Sequence, residues 1–209
     1  MNKKLSSLLL VVGLAAVIGV AAVAYRFLTN GMISPNLQPV PDSGASSSTS
    51  QPESTASGEE SGSSTPEPLE MPGFTVENAD GEEVDFADLI DGRPMVLNFW
   101  ASWCGPCQSE MPEFYEVWQE RGEEISFVMI NMTDGGRETR ETATDWLAEQ
   151  GYDFPVYYDV KQDAAASWGI YSLPTTCFLN GEGKLVAYAE GAIPKESLEM
   201  GISMITSGE

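Results

Sequence analysis

Cys104 and Cys107 stand two residues apart in the run Trp103-Cys104-Gly105-Pro106-Cys107. Thiols at this spacing close into a disulfide with almost no loop-closure cost, and the disulfide reopens by exchange with another thiol. The competing chemistry is one half of a structural zinc site, which needs four Cys or His ligands. The chain has three Cys and no His, so the pair reads as a redox dithiol.

Reactivity depends on what holds the pair. Met95 to Ala101 is an apolar run that reads as a buried strand. Gln108 to Arg121 reads as a helix, with Pro112 expected to kink it. Cys104 then lies at a helix N-terminus, where unpaired N–H groups and the helix dipole favour the thiolate. It is the expected nucleophile: its attack on a disulfide gives a mixed disulfide that Cys107, one turn further in, resolves. Gly105-Pro106 sets the turn between them, since Pro at the first helical position lacks only a donor the helix could not use. Trp103 is expected to shield the thiolate and offer an apolar docking surface, whereas Trp100 reads as core.

Around these elements the pattern alternates. Phe74 to Glu77 and Glu83 to Asp85 read as a hairpin about Asp80-Gly81, followed by a helical turn from Phe86 to Ile90. Strands are expected at Ile125 to Met132, Val156 to Tyr158, Thr175 to Asn180 and Lys184 to Ala189. Helices are expected at Arg137 to Gln150, Gln162 to Trp168 and Pro194 to Ile205. Strands alternating with helices and ending in a hairpin predict an α/β three-layer sandwich with a mixed central sheet.

The segment from Val96 to Cys107 with Glu110-Met111-Pro112, together with Phe154-Pro155-Val156, Leu173-Pro174-Thr175-Thr176 and Gly181 to Lys184, resembles the TlpA/ResA branch of the thioredoxin-like proteins. These are membrane-anchored thiol–disulfide oxidoreductases, and the likeness runs from near Glu70 to the C-terminus. It implies a thioredoxin-like fold, no cofactor and no metal. It also implies that Pro174 is a cis-proline beside the dithiol, with Leu173 binding substrate backbone as an added strand would. Thioredoxin itself carries a buried Asp where this chain has Asn98, which cannot titrate; ResA-like relatives instead carry an acid in the loop after the next strand. Asp134 matches it, and if buried near Cys107 it would have a raised pKa and exchange a proton with the thiol. The alternative for Asp134 is an exposed loop residue capping the following helix. Cys177, on a strand three residues past Pro174, reads as a small buried hydrophobe, or else as a third redox or metal-binding thiol.

The N-terminal third has another character. Residues 5–28 are mostly apolar and uncharged up to Arg26, long enough for a transmembrane helix, and Lys3 and Lys4 keep residues 1–4 cytosolic. A cleaved signal peptide, ending at Ala22-Val23-Ala24, is the rival reading. Either exports the rest to the extracytoplasmic side of a bacterial membrane. Residues 29–69 are rich in Ser, Pro, Gly and Glu and predict a disordered tether, which leaves 70–209 as the folded domain. From Glu70 onward 27 acidic residues face 7 basic ones, a balance of −20 that excludes a nucleic-acid partner. The resemblance implies electrons from a CcdA/DsbD-type membrane carrier and disulfide-containing protein substrates such as apocytochrome c. Rival functions are electron donation to an exported methionine sulfoxide reductase or peroxiredoxin, and Cu(I) binding by the thiolates. The absence of His, and of Met beside the dithiol, argues against copper.

Overall fold

β4 (Met95–Trp100) is buried along its whole length, as its apolar run requires of a strand covered on both faces. A computed structural model describes residues 37–40 and 68–207 and places this strand mid-sheet. The elements in chain order are β1 (Leu37–Pro39), β2 (Thr75–Glu77), β3 (Glu83–Asp85), α1 (Phe86–Leu89), β4, α2 (Gly105–Arg121), β5 (Ser126–Asn131), α3 (Arg140–Gln150), β6 (Val156–Tyr158), α4 (Asp163–Trp168), β7 (Thr175–Leu179), β8 (Leu185–Glu190) and α5 (Lys195–Thr206). The strands form one mixed sheet, ordered β1-β8-β7-β4-β5-β6-β2-β3. β5 runs parallel to β4 and β6, and the other pairings are antiparallel.

The period-2 alternation of the central strands sorts their side chains into two cores. Val96, Trp100, Phe127, Met129 and Phe178 pack with Cys104, Cys107 and Met111 at the start of α2, and with Leu147 of α3 and Ile202 of α5. Leu97, Phe99, Val128, Ile130, Cys177 and Leu179 face the other way, against Phe86 of α1 and Trp168 of α4. Gly201 lets α5 lie close on the sheet: a Cβ there would come within 2.2 Å of the Phe178 ring. This is the expected three-layer sandwich.

Two expectations about boundaries change. The tether expected over 29–69 contributes structure, because β1 pairs antiparallel with β8, with Leu37 opposite Ala189, and Val40 is buried. A short apolar-flanked strand within a Ser-rich stretch has no local signal; the open edge of β8 supplies its partner. The helix expected from Arg137 begins instead at Arg140. Thr139 caps it, exchanging hydrogen bonds with Thr142 in a reciprocal capping box. Pro112 lies inside α2 without ending it. Among the described residues no helix is long and apolar enough to cross a membrane, and the segment at 5–28 lies outside them.

Candidate active site

β4 delivers the chain to the N-terminus of α2, where Cys104 is the capping residue and Pro106 falls in the first turn. Cys104 and Cys107 are joined in a disulfide, with Cα atoms 5.2 Å apart. The Cys107 N–H donates to Cys104 Sγ at 3.3 Å, so a free donor of the helix end points at the sulfur that would carry the charge once reduced. Cys104 keeps 4% of its surface exposed, whereas Cys107 has none. Cys104 lines a surface groove of about 460 Å³ with Trp103, Gly105, Pro106 and Leu173. A substrate sulfur therefore meets Cys104 first.

The Leu173–Pro174 bond is cis, as the resemblance implied, and Leu173 reaches the groove. Trp103 is 40% exposed beside the dithiol, and the Arg137 guanidinium lies over its ring, 3.7 Å from the centroid. Trp100 is fully buried. Cys177 is buried in the opposite core, and burial pushes its thiol up to about 12. The sheet separates it from Cys104 and Cys107, so the three sulfurs do not converge on one copper ion.

Asp134 is not the buried acid that the resemblance implied. Asp134 is exposed, and its Oδ1 accepts the N–H groups of Gly136 and Glu138 at 2.8 and 2.9 Å. Hydrogen bonds from the Glu138 and Gly136 backbone hold its carboxyl below the usual range, the reverse of the expected rise. It closes a turn ahead of Thr139 and does not cap α3 itself.

Glu110 is a buried acid on the dithiol helix. It lies three residues beyond Cys107 on the same face of α2, with 2% of its surface exposed. Asn98 Nδ2 donates to its Oε1 at 3.0 Å and the Ile193 N–H to its Oε2 at 2.9 Å. Asn98 Nδ2 also donates to Thr176 Oγ1 at 3.0 Å. Burial outweighs these donors and pushes the Glu110 carboxyl up to about 8, with the nearby Glu113 charge adding to the rise. A signal was present in the sequence. Cys107, Met111, Phe114 and Val117 form a helical stripe, and Glu110 is the acid within it.

A second carboxylate went unnoticed. Glu138 has no exposed surface; its Oε1 accepts from the Ser102 N–H at 2.8 Å and Asn131 Nδ2 at 2.7 Å, and its Oε2 from Ser102 Oγ at 2.7 Å. It ties the loop after β5 to the residue just before Trp103. No local pattern marked it, because its partners are 36 and 7 residues away.

A thioredoxin-like sandwich with a dithiol at the start of α2 and a cis-proline beside it defines a thiol–disulfide oxidoreductase, and the chain belongs to the AhpC/TSA family, whose model matches residues 69–188. Among individual proteins, it is 34% identical over 140 residues to the thiol–disulfide oxidoreductase ResA of Bacillus anthracis, spanning 66% of this chain and 77% of that one. It is 30% identical over 143 residues to ResA of Bacillus subtilis, spanning 67% and 76%. A solved structure from Chlorobium tepidum, described as a thiol:disulfide interchange protein DsbE, superposes with a TM-score of 0.57 at 27% identity, covering 66% of this chain and 96% of that one.

Proposed function

We propose that the dithiol reduces protein disulfides on the extracytoplasmic side of a bacterial membrane, with Cys104 as nucleophile, Cys107 as resolving thiol and Glu110 as proton acceptor. The buried Cys107–Glu110 pair carries this reading. A resolving thiol sealed from water needs a base inside the protein, and a carboxyl pushed up to about 8 is matched to that task. Gly105-Pro106 supports the same direction: thioredoxin carries this dipeptide and has a potential near −270 mV, against about −120 mV for the oxidant DsbA.

In the first step the Cys104 thiolate attacks one sulfur of the substrate disulfide, and the other leaves as a thiolate that takes up a proton. The Cys107 thiol then passes its proton to the Glu110 carboxylate and attacks Cys104 Sγ. The bound substrate sulfur is expelled as a thiolate. Two electrons have moved to the substrate, leaving the Cys104–Cys107 disulfide. Regeneration runs in reverse: a donor thiolate attacks Cys104 Sγ, Cys107 leaves and takes its proton from Glu110, and a second donor thiolate then releases the Cys104 thiolate as the donor dithiol is oxidised to its disulfide.

The expected electron source is a CcdA/DsbD-type membrane carrier, and apocytochrome c is the substrate type that the ResA likeness suggests. Residues 5–28 are proposed as the anchor. The Cys107→Ser variant should accumulate mixed disulfides with substrates while Cys104→Ser traps none, and the potential should lie near that of thioredoxin. Equal trapping by both variants, or a potential close to −120 mV, overturns the assignment. Recovery of a soluble form beginning near Tyr25 after carbonate washing would show a cleaved signal rather than an anchor.

A further inference from the structure

Arg137 is unlike the other cations of the domain. Arg93, Arg121, Arg140, Lys161, Lys184 and Lys195 each lie in an ion pair with a carboxylate. Among the described residues Arg137 alone is not held in this way; its guanidinium lies on the face of Trp103 instead. Asp134 feels its charge, but Asp134 Oδ1 is committed to two backbone N–H groups of its own turn.

Stacking engages the flat face of a guanidinium and leaves the N–H donors along its edge free. Those donors are pre-oriented, because the indole fixes the plane that a free arginine would sample. Arg137 lines the same groove as Cys104, where the other walls include Met132, Ile170 and Leu173, and where Tyr171 stands 95% exposed. The site thus offers an apolar channel beside the reactive sulfur with one cation on its wall that no ion pair holds. The chain as a whole carries a net charge of −22. At physiological ionic strength that field is screened beyond roughly 8 Å, whereas a contact at the groove is not.

The geometry points to Arg137 as a specificity residue that selects substrate segments bearing an acidic side chain next to the disulfide. This rests on the reductase reading and adds the chemical class of the partner: an extended, apolar chain with a carboxylate flanking the cysteine pair. The carboxylate accepts hydrogen bonds from the edge of Arg137 while the substrate sulfur rests on Cys104.

The test uses pre-reduced protein in single turnover against three peptides with a Cys-Xaa-Xaa-Cys disulfide, identical except for Glu, Gln or Lys just before the first Cys. Wild type should reduce the Glu peptide faster than the Lys peptide by about fivefold in kcat/KM, the size expected of one charge-assisted pair at a partly exposed site. Arg137→Gln should bring that ratio to one or below, whatever the absolute rates. Arg137→Lys should give an intermediate ratio, since it keeps the charge and loses the stacked fork. A ratio unchanged between wild type and Arg137→Gln, or a wild-type preference for Lys, overturns the inference while leaving the reductase reading intact. Failure of wild type to reduce any of the three overturns both.

Discussion

Two regions beside the dithiol each bury a carboxylate, and the donors that meet it set them apart. In the loop after β5, Glu138 is buried and accepts three hydrogen bonds, two from Ser102 and one from Asn131, while Asp134 beside it is exposed and held by backbone donors. Beneath Cys107, Glu110 is as buried as Glu138 but receives one side-chain amide and one backbone N–H, and its carboxyl rises to about 8. Both regions bury an acid; they differ in how many donors meet it. The loop region braces the active-site turn, and the floor region is the one proposed to move a proton.

That division breaks most clearly at Glu110. Glu110→Gln keeps the shape and removes titration, so substrate reduction should slow by about a hundredfold, the lower end of general acid–base contributions. The rate–pH profile, which in wild type should rise as the carboxylate forms near pH 8, should lose that limb. The same group predicts a stability trend. Between about pH 4.5 and 8 the folded domain keeps a proton that the unfolded chain has released, so stability falls across that window and levels off above it. Denaturant titrations of Glu110→Gln should show that slope flattened. A wild-type rate and an unchanged slope would return Glu110 to the core.

A smaller effect should follow in the loop. Glu138→Ala leaves the Ser102 and Asn131 donors buried without partners and should destabilise by about 2–4 kcal/mol. Its loss of activity should accompany that loss of stability; full activity in a destabilised variant would remove the bracing role. The smallest change is expected at Asp134→Asn, where the turn loses only part of its acceptor strength. Reduction should stay within about twofold of wild type, since acid–base factors are far larger. A tenfold loss there would reinstate Asp134 as the proton carrier.

The contrast also marks what a linear chain reveals. The strand–dithiol–helix unit was legible because Met95 to Trp100 is a continuous apolar run and the cysteines sit at the helix start, all within local sequence. Glu110 was half legible. Its place in an apolar stripe was visible, but its burial depends on Asn98 and on Ile193, 83 residues away. Asp134 drew attention because it occupies the expected loop, yet position in a loop does not decide burial; the turn geometry does. Glu138 and β1 left no local trace, because one is defined by donors from other elements and the other by an edge it completes.

β1 has a consequence for proteolysis. The Val40 N–H donates to the Val186 carbonyl, while Leu69 and Leu185 exchange backbone hydrogen bonds at the adjoining position of β8. Residues 41–67 therefore leave and return at neighbouring points of one strand, and their continuity keeps β1 at high effective concentration beside its partner. A cut anywhere between them turns β1 into the end of a separate piece, held among the described residues by three paired residues and one buried valine. Such an interface is too small to last. With the proposed anchor at 5–28, shedding of the domain and exposure of the β8 edge at Ala187 to Ala189 would be a single event. Protein nicked in this interval should elute as a larger species than intact protein on size-exclusion chromatography; unchanged elution with β1 still bound would show the strand to be self-sufficient.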